Sequence, residues 1–140
     1  MTFENATQSK PAITIARSDH DRLWGLAERL SDRNPDVSDQ LLAELDRAEI
    51  VPDEQLQANV VRMGTPLRFT TDTGEDRAIT LVFPNEADIS AGKVSVFTPI
   101  GAALIGLSSG QSIDWTGRNG HPHRLTVESV NGISNGNAAG

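Results

Sequence analysis

The 140-residue sequence contains no cysteine and no tyrosine, and its aromatic content is limited to four Phe and two Trp. Without cysteine, disulfides, thiolate metal sites and cysteine nucleophiles are excluded. No run approaches the roughly 18 consecutive apolar residues of a membrane span. Met1–Lys10 lacks the apolar stretch of a signal peptide, so a cytoplasmic protein with no membrane association is expected. No Gly-x-Gly-x-x-Gly or P-loop pattern occurs, and no Lys follows a Gly-rich loop, so the residues do not support a kinase. Positive charge is also scarce, with 12 Lys and Arg against 19 Asp and Glu, a net charge of −7. Residues 1–58 hold 12 of the acidic and 6 of the basic side chains, so most of the imbalance lies there. Little direct nucleic-acid binding is therefore expected, because counterion release needs clustered Lys and Arg.

What is present is an ordinary globular composition, 37% hydrophobic, with a mean hydropathy of −0.32. The length suits one compact domain with a small appendage. The most informative stretch runs from Lys93 to Trp115. Lys93, Val94, Ser95 and Val96 alternate polar and apolar, as a strand with one buried face does. Pro99 fits the first turn of a helix and Thr98 its N-cap. Ile100, Ala103, Leu104 and Leu107 follow helical spacing, Gly106 and Gly110 mark an exit and a turn, and Ser112–Trp115 reads as the next strand.

Upstream, Ser18 with Asp21 suggests a capping-box-like start, and Leu23, Trp24, Ala27 and Leu30 give one apolar face to a helix over Asp19–Ser31. Ser31–Asp36 reads as a turn, and Pro35 prevents the first helix from continuing through it. Ser38 is a candidate cap for a second helix striped by Leu41, Leu42, Leu45 and Ala48. These two helices form a short antiparallel hairpin, with Glu44, Asp46 and Glu49 mainly outward. Beyond a boundary in Ile50–Gln57, strands are predicted at Val60–Met63, Pro66–Thr70, Ala78–Phe83, Lys93–Val96, Ser112–Trp115 and Arg124–Val130. A turn through Thr116–Gly120 joins the last two. The expected organisation is a disordered 1–11, a helical hairpin at 12–52, an antiparallel sheet domain with one short helix at 53–130, and a loose tail at 131–140. The fold class is α+β.

Two separated motifs carry a family resemblance: Thr98-Pro99-Ile100-Gly101-Ala102-Ala103-Leu104-Ile105-Gly106, then Gly110-Gln111, and the earlier Leu42-Ala43-Glu44-Leu45-Asp46-Arg47-Ala48. The first resembles the Ser-Pro-hydrophobic-Gly turn and Ala-Leu-Leu-Gly helix of the Gre transcript-cleavage factors. Both together resemble a smaller branch of that family, the regulators of nucleoside diphosphate kinase, over roughly residues 12–130. The resemblance implies an FKBP-like sheet domain. It also implies a bacterial RNA polymerase partner, contacted at the coiled coil on the secondary channel rim through Phe97, Thr98, Pro99, Ile100 and Gly101. A non-catalytic regulator that competes with Gre factors follows from it, acting as a monomer and needing no cofactor. Thr98 keeps the hydroxyl of the family's Ser, whereas Ala102 replaces an Arg common in Gre proteins. On residue chemistry alone, Pro99 could equally just start a packed helix.

Other candidates are weaker. Asp32 and Asp36 flank the hairpin tip, where Gre factors carry acidic residues that help hold a catalytic Mg²⁺. Carboxylates suit that ion, but Asp is also common in turns because it bonds local backbone. Helices of about 12 residues span only ~18 Å, short of the much longer Gre coiled coil, so no metal site is assigned. His121 and His123 could share a strand face, yet a Gly- and Pro-rich exposed turn is the favoured reading. His20 reads as a solvated helix residue. A prolyl isomerase would need an aromatic pocket. Phe69, Phe83, Phe97 and Trp115 are better used as sheet core.

Overall fold

The computed structural model describes residues 11–116 and 122–134. Expectations for residues 1–10, 117–121 (including His121) and 135–140 lie outside the described residues. The chain begins with a short strand β1 (Thr14–Ala16) that runs directly into helix α1 (Arg17–Arg29). Helix α2 (Pro35–Arg47) returns antiparallel to it and leads into strand β2 (Glu49–Val51). Strands β1 and β2 pair in parallel, Ile15 opposite Ile50, closing the base of the hairpin.

The helix starts differ from the sequence reading. Asn34 rather than Ser38 caps α2, its side chain accepting the Val37 N–H at 3.2 Å with Pro35 at the first helical position. Pro lacks the N–H that an N-terminus leaves unsatisfied, so Asn-Pro is a strong start. Ser38 is instead buried, and its hydroxyl donates to the Ala27 carbonyl at 2.7 Å, tying α2 to α1. Helix α1 has no side-chain cap. The Ser18 hydroxyl is used by Asp53.

The second part is a six-stranded sheet of β3 (Pro66–Thr71), β4 (Asp76–Val82), β5 (Lys93–Ser95), β6 (Ser112–Thr116), β7 (Pro122–Val130) and β8 (Ile133–Ser134). Their order is β5-β4-β3-β7-β6, with β8 also on β7. The sheet is mixed, correcting the antiparallel expectation: β5 runs parallel to β4, Leu81 opposite Val94. Parallel neighbours need a connection that carries the chain back. Residues 83–92 provide one through two short 3₁₀ turns, Pro84–Glu86 and Ile89–Ala91. Val60–Met63 is not a strand. Val60 makes one isolated bridge to Ser108, and the Val61 N–H donates to the Leu107 carbonyl at 2.8 Å. The segment 131–134 is not loose, because β8 pairs with β7 after a turn at Asn131 and Gly132.

Helix α3 (Pro99–Leu104) is one of the clearest sequence signals and forms as read, though it ends before Leu107. The hairpin and the sheet share one hydrophobic core. Leu23, Leu26, Ala27, Leu41 and Leu45 from the helices meet Leu67, Phe69, Leu81, Ala103, Leu104, Leu125 and Val127. Gly106, with φ +84°, lets β1 approach closely: a Cβ there would lie 3.0 Å from the Ile13 Cβ and 3.1 Å from Ile15. No helix among the described residues is long and apolar enough to cross a membrane.

Candidate functional site

The turn between β5 and α3 is built by short-range bonds. The Thr98 hydroxyl donates to the Ser95 carbonyl at 2.8 Å and accepts the Gly101 N–H at 3.0 Å. The Ser95 hydroxyl accepts the Phe97 N–H at 3.0 Å. Gly101 is required by space rather than by φ. A Cβ added there would stand 2.2 Å from the Ser95 oxygen and 2.8 Å from the Val96 Cα. Gln40, on α2, donates its side-chain amide to the Pro99 carbonyl at 2.9 Å, so the hairpin also holds this turn. Phe97, Thr98, Pro99 and Ile100 remain half-exposed, while Gly101 to Leu104 are buried. The five consecutive residues singled out from the sequence form the end of this turn and the start of α3. The contribution of Gln40 could not be read from spacing, since it lies 59 positions away.

Asp32 and Asp36 are both exposed at the hairpin tip. No group of three or more His, Asp or Glu among the described residues could hold a metal ion. His20 is not simply solvated: its Nε2 lies 3.1 Å from the Leu45 carbonyl and its ring stacks on Trp24 with centroids 5.8 Å apart. His123 sits in β7 rather than in an exposed turn, with its Nδ1 3.7 Å from Asp72. Glu44 was expected to face outward but is 2% exposed and pairs with Arg47 at 2.8 Å. Phe69 is core, whereas Phe83 is only partly covered and lies beneath the Arg22 guanidinium, 4.5 Å from its ring centre. The Trp115 side chain is outside the described part.

The contact that sequence reasoning missed is the junction of hairpin and sheet. Asp19, buried in the first turn of α1, accepts from Arg62 Nε and Nη2 and from the Met63 N–H, each at 3.2 Å. Arg62 also lies 3.9 Å from Asp53. The Ser18 hydroxyl and amide both donate to Asp53, and the hydroxyl bond above all holds that exposed carboxyl below the usual range. A Ser-Asp pair at a helix start gave no sequence signal for a distant Arg.

Residues 56–132 match the family described as transcription elongation factor GreA/GreB, C-terminal part, and residues 11–51 match the Rnk N-terminus. The Escherichia coli K12 regulator of nucleoside diphosphate kinase is 39% identical over 108 residues, spanning 76% of this chain and 79% of that protein. This chain belongs to the GreA/GreB family, in its Rnk branch. A GreA elongation factor of Thermodesulfovibrio yellowstonii is 37% identical over 75 residues, 53% of this chain and 48% of the relative. Among solved structures, the elongation factor GreA/GreB of Nitrosomonas europaea superposes with a TM-score of 0.67 at 39% identity. It covers 86% of this chain and 98% of its own. The GreA/GreB match spans the sheet and the 97–101 turn, and the Rnk match spans the hairpin, the two regions from which the resemblance was read.

Proposed function

We propose that this Rnk-branch protein is a non-catalytic transcription regulator that docks on bacterial RNA polymerase at the rim of the secondary channel through Phe97, Thr98, Pro99, Ile100 and Gly101. The observation that carries this reading is the turn itself. Its backbone is fixed by Thr98, Ser95 and Gln40, while four of its side chains stay half-exposed. A surface fixed before docking loses little conformational entropy when it binds. Membership of the GreA/GreB family supplies the partner class.

The hairpin supports the non-catalytic part. Its helices have 13 residues each, so each is about 20 Å long at 1.5 Å per residue. A tip carried that short a distance leaves Asp32 and Asp36 outside the polymerase active centre. The protein then occupies the Gre position and competes for it without stimulating transcript cleavage.

The test is competition with a Gre factor for core polymerase, scoring binding and cleavage of a backtracked transcript together. Displacement with loss of cleavage is expected. Pro99→Ala and Thr98→Val should weaken binding while the variants remain folded. Equal affinity in the folded variants would remove this surface from the interface, and retained or increased cleavage would make Asp32 and Asp36 functional.

A further inference from the structure

An unassigned cleft of about 590 Å³ lies between α1 and the turn after β4, lined by Arg22, Leu26, Arg29, Leu30, Phe83 and Glu86, among others. Arg22, Leu26 and Arg29 follow i, i+4, i+7 spacing along one face of α1, and Leu30 follows at its C-cap. Over that interval the helix rises about 10 Å. The floor is apolar, formed by Leu26, Leu30 and the half-covered Phe83 ring. Both guanidiniums are exposed, and neither forms an ion pair with a described carboxylate.

Arg22 is held in place without a carboxylate. Its guanidinium lies over the Phe83 ring at 4.5 Å, which orients the planar fork and leaves its edge N–H groups available. The setting makes this unusual, because residues 1–58 carry twice as many acidic as basic side chains. Arg22 and Arg29, beside a half-covered apolar floor and with Glu86 as a lining carboxylate, leave the cleft with an excess of positive charge on a protein of net charge −7.

We infer that this cleft is a second docking site for the polymerase, receiving a surface segment that carries Asp or Glu next to an apolar side chain. The apolar group would fill the space between Leu30 and Phe83, and carboxylates would meet Arg22 and Arg29 as charge-assisted pairs. The shape favours a protein segment over a small anion. The cleft is open to solvent, whereas small-ligand sites enclose most of their ligand. The identity of the partner rests on the polymerase reading above, and the site itself rests on the cleft.

The experiment measures binding of the full chain to core polymerase at low and high salt, for wild type, Arg29→Glu, the double variant Arg22→Glu/Arg29→Glu, and Arg77→Glu. Arg77 is exposed on β4, so it makes the same charge change elsewhere. Arg29 carries no ion pair, so its single variant tests the site even if the double variant folds poorly. Arg29→Glu should weaken binding several-fold and the double variant at least tenfold at low salt. Both losses should shrink as salt shortens the screening length from about 10 Å at 0.1 M toward 3 Å at 1 M. Arg77→Glu should stay within about twofold of wild type, as a surface charge outside the contact does. Unchanged binding of folded Arg29→Glu and double variants, or an equal loss in Arg77→Glu, overturns the cleft while leaving the turn as the docking surface. No binding by wild type overturns both.

Discussion

Asp19 and Arg62 join the two halves of the molecule through a forked contact, Nε and Nη2 of the guanidinium each 3.2 Å from a different carboxylate oxygen across 43 positions of sequence. Asp19 is 1% exposed, and its third partner is the Met63 N–H. The Arg62 side chain is about one-third exposed, at 34%, so solvent screens its end of the pair. The energetic weight therefore lies on the buried carboxylate and on the backbone donor that would be stranded without it.

Asp19→Ala should accordingly destabilise the fold by about 2–3 kcal/mol, below the 3–5 kcal/mol of a fully buried pair because Arg62 can turn to water. Asp19→Asn keeps one acceptor and should lose less. Urea unfolding of both variants measures this. A loss under about 0.5 kcal/mol for the alanine variant, the range of ordinary surface changes, would show that the junction is held by the apolar core alone.

Gly101→Ala should be among the most damaging single-methyl additions in the chain. The new Cβ would stand 2.2 Å from the Ser95 oxygen, an atom already held by the Thr98 hydroxyl. Relief requires β5 or α3 to move, and both pack into the core. A loss of about 3 kcal/mol or more is expected, at the upper end for overpacking. Thr98→Val keeps the shape but removes both hydroxyl bonds, and should lose about 1–2 kcal/mol, the usual range for an N-cap. Thermal unfolding that ranks Thr98→Val below Gly101→Ala in stability would contradict this account of the turn.

The turn and its helix were legible because all their instructions are local: Thr98, Pro99 and Gly101 lie within four positions and carry cap, first-turn and close-approach chemistry. The hairpin was legible from periodicity, and Asn34-Pro35 carries the α2 start, although Ser38 has a comparable capping preference. What could not be read were relationships between distant segments. Nothing in the local pattern distinguishes Glu44, buried against Arg47, from Asp46, exposed two positions later. The parallel placement of β5 depends on how residues 83–92 fold back, and polar composition describes such a connection only as a loop. The Arg22–Phe83 stack and the Gln40–Pro99 bond likewise join positions whose proximity is set by tertiary packing.

Acid should weaken the fold through three exposed carboxylates. Asp53 is lowered from 3.8 chiefly by the Ser18 hydroxyl, Asp76 by its bond from Arg68, and Asp88 by the Ser90 hydroxyl. A folded-state pKa below the unfolded one adds stability that is fully present above the unfolded value and is lost as pH falls through the folded value. The contribution is therefore complete above about pH 5 and declines below about pH 4. Ser18→Ala removes the main cause at Asp53, so its urea midpoint should converge on that of wild type as pH drops from 6 to 2. A gap that stays constant across this range would mean the Ser18–Asp53 contact does not favour the ionised carboxylate.

Asp32 and Asp36 provide the sharpest separation between a docking protein and a cleavage factor. Asp36 occupies the first turn of α2, where the helix dipole favours a negative charge, while Asp32 lies just past the C-terminal end of α1, where it does not. Asp36→Asn should therefore lose, and Asp32→Asn should gain, up to about 0.5 kcal/mol, so the double variant should unfold close to wild type. With the fold intact, its competition with a Gre factor for polymerase should be unchanged, because the tip sits on helices of only 13 residues and the proposed binding surface is the 97–101 turn. Transcript cleavage that wild type supports and the double variant does not would place these carboxylates at the reacting phosphate. The hairpin would then reach farther than its length alone implies.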